Sequence, residues 1–428
     1  MGSGSSGSSG TSGRRADVVV VGGGVIGLAV AWRAAMASLT PVVVDPEPGS
    51  GASFAAAGML APVTEAHYGE EELVRLNLAA AARWPEFAAE LEAEAGASVG
   101  YLPCGTLALA SDGDDWAALK DLQRFQAELG LSAELLTGRE CRRLEPLLAP
   151  GIRGGLLAEG DHQVDSRALV RALLSALDRR GVEVRREAVA ELLVEGDRAV
   201  GVRLAGGEEL SAGAVVLAAG CWSARLAGLP PEAAPPVRPV KGQILRLAGP
   251  ASAKVASHNV RGLVRGSPVY LVPRSDGRLV IGATVEEKAF DTTVEAGAVY
   301  TLLRDAIELL PAVSELELVE ARAGLRPGSP DNAPLAGWSV LQGLAVATGH
   351  YRNGMLLAPI TASGVASLLA EGAVPPELEP FAPTRFSAPE THSPVGPESP
   401  VGPDSPVGTA PVVAEDLAGA ASAPGRQR

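Results

Sequence analysis

Apolar positions along this chain keep two different rhythms. Unbroken β-branched runs at residues 18–21 and 42–44, and apolar runs at 210–217 and 343–347, have the character of strands covered on both faces. Between them, residues 25–37, 70–94, 115–129, 137–147, 167–180, 298–310 and 355–370 carry apolar side chains at helical spacing. Asp165 or Ser166 suits the cap of the helix at 167–180, Gly181 ends it, and Pro311 stops the helix at 298–310. Residues 182–185 predict a short strand, and residues 190–195 and 199–204 a hairpin around Gly196-Asp197. Apolar and polar positions alternate through 240–247 and 262–284, with a Ser275-Asp276-Gly277 turn, which predicts antiparallel strands. Residues 99–111 and 155–161 add short strands, and 315–323 a strand running into Gly324-Leu325-Arg326-Pro327-Gly328.

The parallel-type units are therefore scattered. Residues 16–85, 151–230 and 325–380 form one expected domain. Residues 86–150 and 231–324 form a second, mainly antiparallel β domain inserted into it. The fold class is α/β with α+β, a discontinuous Rossmann-like domain carrying an insertion.

Both ends fall outside this pattern. The Gly/Ser run at residues 1–15 and the SPVGPE, SPVGPD, SPVGTA repeat within 387–428 bury no core and are expected to be disordered. No apolar run approaches the roughly 20 residues that span a bilayer, so no membrane segment is expected. A net charge of −14 on 428 residues speaks against nucleic acid as a partner. Cys104, Cys141 and Cys221 are too far apart for a metal cluster and read as reduced thiols of a cytoplasmic protein.

Candidate chemistry begins at the first strand. Gly22, Gly24 and Gly27 stand at GxGxxG spacing between the run at 18–21 and the helix at 25–37, and Asp45 closes the run at 42–44. Strand, glycine turn, helix, second strand and terminal acid point to dinucleotide binding. The glycines permit a tight turn, phosphates meet the positive end of the helix, and Asp45 accepts from ribose hydroxyls. Small residues dominate 49–58, which suits a backbone lying along a flat ligand and equally an Ala-rich turn and helix start. The strand at 210–217 ends on Ala218, Ala219, Gly220, Cys221 and Trp222, a ligand-facing place in a parallel sheet. A second glycine junction, residues 348–354, precedes the last helix. These late returns to the nucleotide domain suit an extended FAD with its ring at the domain interface.

His67, His162, His258, His350 and His392 have no metal-ligand spacing, and no metal is expected. A flavin that carries the chemistry needs little acid–base machinery from the protein. Arg326, Arg352 and Tyr270 then stand out. Arginine forks hold carboxylates and a phenol can share them; interface salt bridges and a core phenol are the competing reading.

The stretches VVVVGGGVIGLAVAWRAA, SFAAAGML, VKGQ, YLVPR, GRLVIGAT, AGLRPGSPDNAP and ATGHYRNGMLLAP, spread over residues 17–386, resemble the FAD-dependent D-amino-acid oxidase family, within it the glycine oxidases of thiamine biosynthesis. The resemblance implies non-covalent FAD held by Gly22, Gly24, Val25, Ile26 and Gly27, by Asp45 and Pro46, and by Ala52, Ser53, Ala57, Gly58 and Met59. It adds Val189 at the adenine, Gly220, and His350, Tyr351, Arg352, Asn353, Gly354, Met355 and Leu356 around the ring. It implies Arg326 as the carboxylate-binding arginine, Tyr270 as the active-site tyrosine, Arg352 as a second substrate-side arginine, and Met59 beside the substrate. The implied reaction takes glycine, sarcosine or a small D-amino acid to an imine, then to glyoxylate and ammonia, with O2 reduced to H2O2. The implied partners are that substrate, O2, and thiazole synthase as user of the product; the implied assembly is a homotetramer.

Pro268 stands where similar glycine oxidases can carry a histidine, which leaves substrate access open. Sarcosine or N-methyl amino acid oxidases and D-amino-acid dehydrogenases of the same superfamily remain alternatives, as does a non-catalytic flavin-binding scaffold subunit. All three cysteines precede the late motifs, which favours non-covalent flavin over the covalent attachment common among sarcosine oxidases.

Overall fold

The computed structural model describes residues 16–250 and 254–387; the expected linker, and the expected tail beyond Ser387, lie outside them. Two eight-stranded sheets organise these residues. In the first, Leu344–Thr348, Glu209–Leu217, Ala16–Val21, Pro41–Val44 and Glu183–Arg185 are mutually parallel, and Leu335–Trp338 pairs antiparallel at one edge. A hairpin, Val189–Glu195 with Arg198–Leu204, joins Glu209–Leu217.

The apolar runs are unbroken because both faces of this sheet are covered. Val18, Val20, Val43 and Val216 turn towards helices Val25–Met36, Glu71–Ala95, Ser166–Arg179 and Ala358–Glu371. Val19, Val21, Val44 and Val215 turn towards the hairpin's Leu192 and Val202. The Asp165 side chain caps Ser166–Arg179, accepting from the amides of Arg167 and Ala168.

The second sheet runs Glu317–Gly328, Arg238–Ala248, Arg278–Gly282, Ser267–Pro273, Asn259–Val264, Thr106–Ala110, Gly154–Ala158, Glu134–Thr137. It is antiparallel except where Asn259–Val264 lies parallel to Thr106–Ala110. One face packs Leu245, Leu247, Val260, Leu271 and Ile281 under helix Ala296–Leu309. The other turns Ile244, Tyr270, Val272 and Val280 towards Ala57 and Met59. The candidate site lies at this second face.

Three expected boundaries move. The division at 85/86 falls inside the single helix Glu71–Ala95, whose Leu73, Leu76, Trp84, Phe87 and Leu91 all join the core against the first sheet. Gly154–Ala158, expected in the nucleotide-binding domain, completes the second sheet beside Thr106–Ala110. Glu317–Gly328 runs through the division at 325 without a break, because its ladder with Arg238–Ala248 continues to Gly328. Residues 99–111 yield one strand, Thr106–Ala110.

Asp161 pins residues 63 and 64 to the turn after Gly154–Ala158. It is fully buried and accepts from Val63 N at 2.9 Å, Thr64 N at 2.7 Å and Thr64 Oγ1 at 2.5 Å. Burial pushes its carboxyl up to about 6, against the opposing pull of those hydrogen bonds. The folded protein therefore holds this proton more tightly than the unfolded chain, whose value is 3.8. The stability this gives is complete below about pH 4 and is lost as pH rises through about 6. Denaturant titrations are expected to show a fall of roughly 3 kcal/mol from this group across that window. Asp161→Asn should remove that slope, and an unchanged slope in the variant would rule the assignment out.

Candidate active site

The glycine turn is built by contact as much as by conformation. Gly22 has φ +109°, and a Cβ there would lie 2.5 Å from Ala218 O. A Cβ on Gly27 would lie 1.9 Å from Gly22 O, so only glycine lets the helix start this close to the strand. Gly24 begins helix Val25–Met36 without a side-chain cap, and no acid sits in the first turn. The Val25 amide donates to Ser53 Oγ at 2.9 Å. Asp45 accepts from Gly23 N and from Glu47 N, each at 2.7 Å. Its carboxylate is thus fixed on the turn, with lone pairs left over for a hydroxyl.

Residues 51–59 follow as helix Gly51–Ala55, a turn, and strand Met59–Leu60. Their carbonyls are held from behind by three arginines. Arg167 Nε donates to Phe54 O at 3.2 Å, Arg246 Nη2 to Phe54 O at 3.1 Å and Ala56 O at 3.2 Å, and Arg274 to Ala57 O. Burial lowers Arg246 and Arg274 to about 10, so both remain cationic at neutral pH. The sequence reading missed them. Their signal was there: Arg246 interrupts the apolar run QILRLA, and a charge at an inward strand position needs a partner.

Across from this stretch, three strands of the second sheet present glycine. Tyr270 is opposite Gly282, Gly242 opposite Gly324, and Arg326 opposite Val240. A Cβ on Gly282 would lie 2.3 Å from the Tyr270 Oη, and one on Gly242 would lie 2.3 Å from Arg326 Nη1. The phenol and the guanidinium therefore lie flat on a floor without side chains. Arg326 Nη1 donates to Thr284 O at 3.1 Å and Lys241 O at 3.4 Å. Among the described residues it makes no ion pair, so its charge is available to a ligand. Burial raises the Tyr270 pKa, opposed by the neighbouring Arg326, so the phenol stays protonated at neutral pH.

Arg352 is different. It donates to Glu70 Oε2 at 2.5 Å and lies 3.5 Å from Glu65 Oε2, while Glu65 also pairs with Arg261 at 2.7 Å. Its charge is already matched by carboxylates, so the expected second substrate-side arginine ties the last glycine junction to residues 65 and 70. Glu65 and Arg261 are further residues the sequence reading did not single out, since nothing local pairs positions so far apart. His350 is buried, bonded through Nε2 to Thr361 Oγ1 at 3.0 Å, and lowered by burial to about 3, so it is neutral.

One cleft of about 1370 Å³ joins these parts. Its wall includes Gly22, Gly24, Val25, Ile26, Asp45, Pro46, Ala52, Ser53, Ala57, Gly58, Met59, Val189 and Gly220. It continues past Tyr270, Arg326, His350, Tyr351, Arg352, Gly354 and Met355. Gly27, Asn353 and Leu356 stand behind the wall. Gly27 closes the turn, Asn353 holds the last junction through its backbone to His350 and Leu357, and Leu356 O accepts from Trp84 Nε1 at 2.9 Å. The cradle fits an FAD on this structure's own terms: a glycine-capped helix start with no acid in its first turn, a fixed acid at the end of the second strand, and a long cleft ending at a guanidinium with no ion pair among the described residues. Among the described residues no group of His, Cys, Asp or Glu is placed to hold a metal, and no helix is long and apolar enough to cross a membrane.

The profile of the family described as FAD dependent oxidoreductase matches residues 17–368. A bifunctional protein ThiO/ThiG of Trichormus variabilis is 36% identical over 381 residues, 89% of this chain and 56% of that protein. The chain thus spans little more than half the length of that relative. A glycine oxidase of Geobacillus kaustophilus is 35% identical over 87% of this chain and 97% of its own length. The crystal structure of glycine oxidase from Geobacillus kaustophilus superposes with a TM-score of 0.79, covering 87% of this chain and 99% of that one.

Proposed function

This chain belongs to the family of FAD-dependent oxidoreductases, and from that premise we propose that it oxidises glycine, and with it sarcosine or small D-amino acids, at the expense of O2. The observation that carries the reading is Arg326, an arginine without an ion-pair partner among the described residues, lying on a glycine floor in the cleft that begins at the nucleotide turn.

In this reading Arg326 takes the substrate carboxylate through its guanidinium, and the protonated Tyr270 phenol donates a second hydrogen bond to the same group. Two such contacts fix the substrate's orientation, which in well-ordered sites supplies roughly 7–11 kcal/mol of a barrier. The Arg326 charge also disfavours a neighbouring ammonium, so the amine is held in its neutral form. Met59 and Tyr270 cluster at this end with Ala57 and Ile244, an apolar lining beside the guanidinium. When bound, the flavin supplies the hydride acceptor that these side chains lack. Cys221 lines the cleft, but burial pushes its thiol up to about 12, which supports non-covalent binding.

The residue roles other than that of Arg352, a division into a nucleotide-binding and a substrate domain along the two sheets, a cytoplasmic location and a homotetramer belong to the same proposal. The joining of ThiO and ThiG in one relative supports thiazole synthase as user of the product.

The FAD-loaded protein should generate hydrogen peroxide and glyoxylate from glycine in air and lose its yellow colour with glycine anaerobically. Protein that is bleached by dithionite but by none of glycine, sarcosine or the small D-amino acids would overturn the reading. Gly242→Ala tests the floor: the methyl group must displace the guanidinium, and KM for glycine is expected to rise about tenfold or more with FAD retained. An unchanged KM would separate Arg326 from its present seat.

A further inference from the structure

The segment VKGQ contains a lysine that the proposed reaction does not use. Lys241 is fully buried. It lies between Val240 and Gly242, so its side chain leaves the sheet on the face opposite to Arg326. There Lys241 Nζ meets Asp291 Oδ2 at 2.7 Å, with Glu286 Oε2 and Glu295 Oε1 each at 3.9 Å. All three acids come from residues 286–295, a stretch without helix or extended strand. A buried ammonium is costly unless it is paired, so Lys241 and Asp291 hold each other in place, while Glu286 and Glu295 are shared with Lys288, whose Nζ lies 3.3 Å from Glu286 Oε2.

The same stretch begins at Thr284, whose carbonyl holds Arg326. Lys241 N donates to Glu286 O at 2.9 Å and Glu286 N to Lys241 O at 3.0 Å. Thr284 Oγ1 donates to Glu286 Oε1 at 2.5 Å and accepts from Gln243 N at 2.8 Å. Gln243 Nε2 also donates to Glu286 Oε1 at 2.8 Å. Both carbonyls that fix the Arg326 guanidinium, Lys241 O and Thr284 O, therefore belong to one knot tied by the buried lysine.

We propose that Lys241, acting through Glu286 and Thr284, is a positioning residue that aims the Arg326 guanidinium at the substrate carboxylate. This rests on the reading of Arg326 given above. Lys241 touches neither substrate nor cofactor; its part is to set the carbonyl pair behind the guanidinium, and misplacement of a binding group by a fraction of an ångström is enough to weaken its ligand.

The test is calorimetric binding of glycolate, a carboxylate with no amine to oxidise, to FAD-loaded wild type, Lys241→Met, Lys241→Arg and Asp291→Asn. Lys241→Met is expected to bind glycolate roughly tenfold or more weakly, with kcat for glycine changed far less than KM. Lys241→Arg should restore most of the affinity, and Asp291→Asn should move the same way as Lys241→Met by a smaller factor. In an Arg326→Lys background, Lys241→Met should add no further loss, because the group it aims is gone. Should Lys241→Met fail to fold, Asp291→Asn, at a half-exposed position, carries the test alone. Variants that lose thermal stability yet bind glycolate as tightly as wild type overturn the proposal and leave the role of Arg326 standing. Wild type that binds no glycolate overturns both.

Discussion

Replacement of Arg326 by alanine is expected to give a folded, yellow protein that no longer holds its substrate. Among the described residues the guanidinium is tied to two carbonyls and the neighbouring Tyr270 phenol and balances no carboxylate, so removing it leaves no buried charge without a partner. The fold should therefore be unharmed. A substrate carboxylate would lose charge-assisted hydrogen bonds of the strong kind, and the expected cost is about 3 kcal/mol, more than a hundredfold in KM for glycine. FAD content, read from the visible spectrum, should match wild type, because the nucleotide turn is built by other strands. Arg326→Lys should lie between the two, keeping the charge without the planar fork. Wild-type KM in Arg326→Ala would remove the carboxylate clamp from the mechanism.

The second large effect belongs to the glycine turn. Gly27→Ala places a methyl carbon 1.9 Å from Gly22 O, and the obstacle is backbone, which no side-chain rotation relieves. Helix Val25–Met36 must then move away from the strand, opening the seat for the phosphates and disturbing Val25, Leu28 and Trp32 in the core. Destabilisation of about 3 kcal/mol is expected from overpacking of this kind. The purified variant should be colourless, with FAD uptake on reconstitution reduced at least tenfold. Retention of a full complement of FAD by Gly27→Ala would show that the turn is looser than this packing implies. The two variants separate the ends of one cleft: one loses substrate and keeps colour, the other loses colour.

Much of this could be read along the chain. The helices are local, and their periodicity and caps located Glu71–Ala95, Ser166–Arg179 and Ala296–Leu309 to within a few residues. The β–turn–α–β unit was legible because its chemistry lies within thirty residues, from Ala16 to Asp45. Tyr270 and Arg326 were singled out by residue type and motif, and both line the cleft.

What the local pattern did not contain was partnership. Nothing near Arg352 shows that Glu65 and Glu70 neutralise it, and nothing near Arg326 shows that Thr284 and Gly242 leave it free. The two arginines read alike in sequence and differ only in what the folded chain brings to them. The same holds for Gly154–Ala158, assigned to the wrong sheet because strand partners are chosen by tertiary pairing, not by the strand's own composition.

By itself, then, the sequence determined the elements, the nucleotide turn and the residue types available for holding an acid. Those depend on backbone preference, apolar periodicity and spacing, which act over a few residues. Only the tertiary structure decided which arginine carries an unmatched charge, which glycines form its floor, and which buried lysine stands behind it. Those outcomes depend on distances between strands far apart in the chain, and electrostatic and steric terms at a few ångströms are set by that proximity alone.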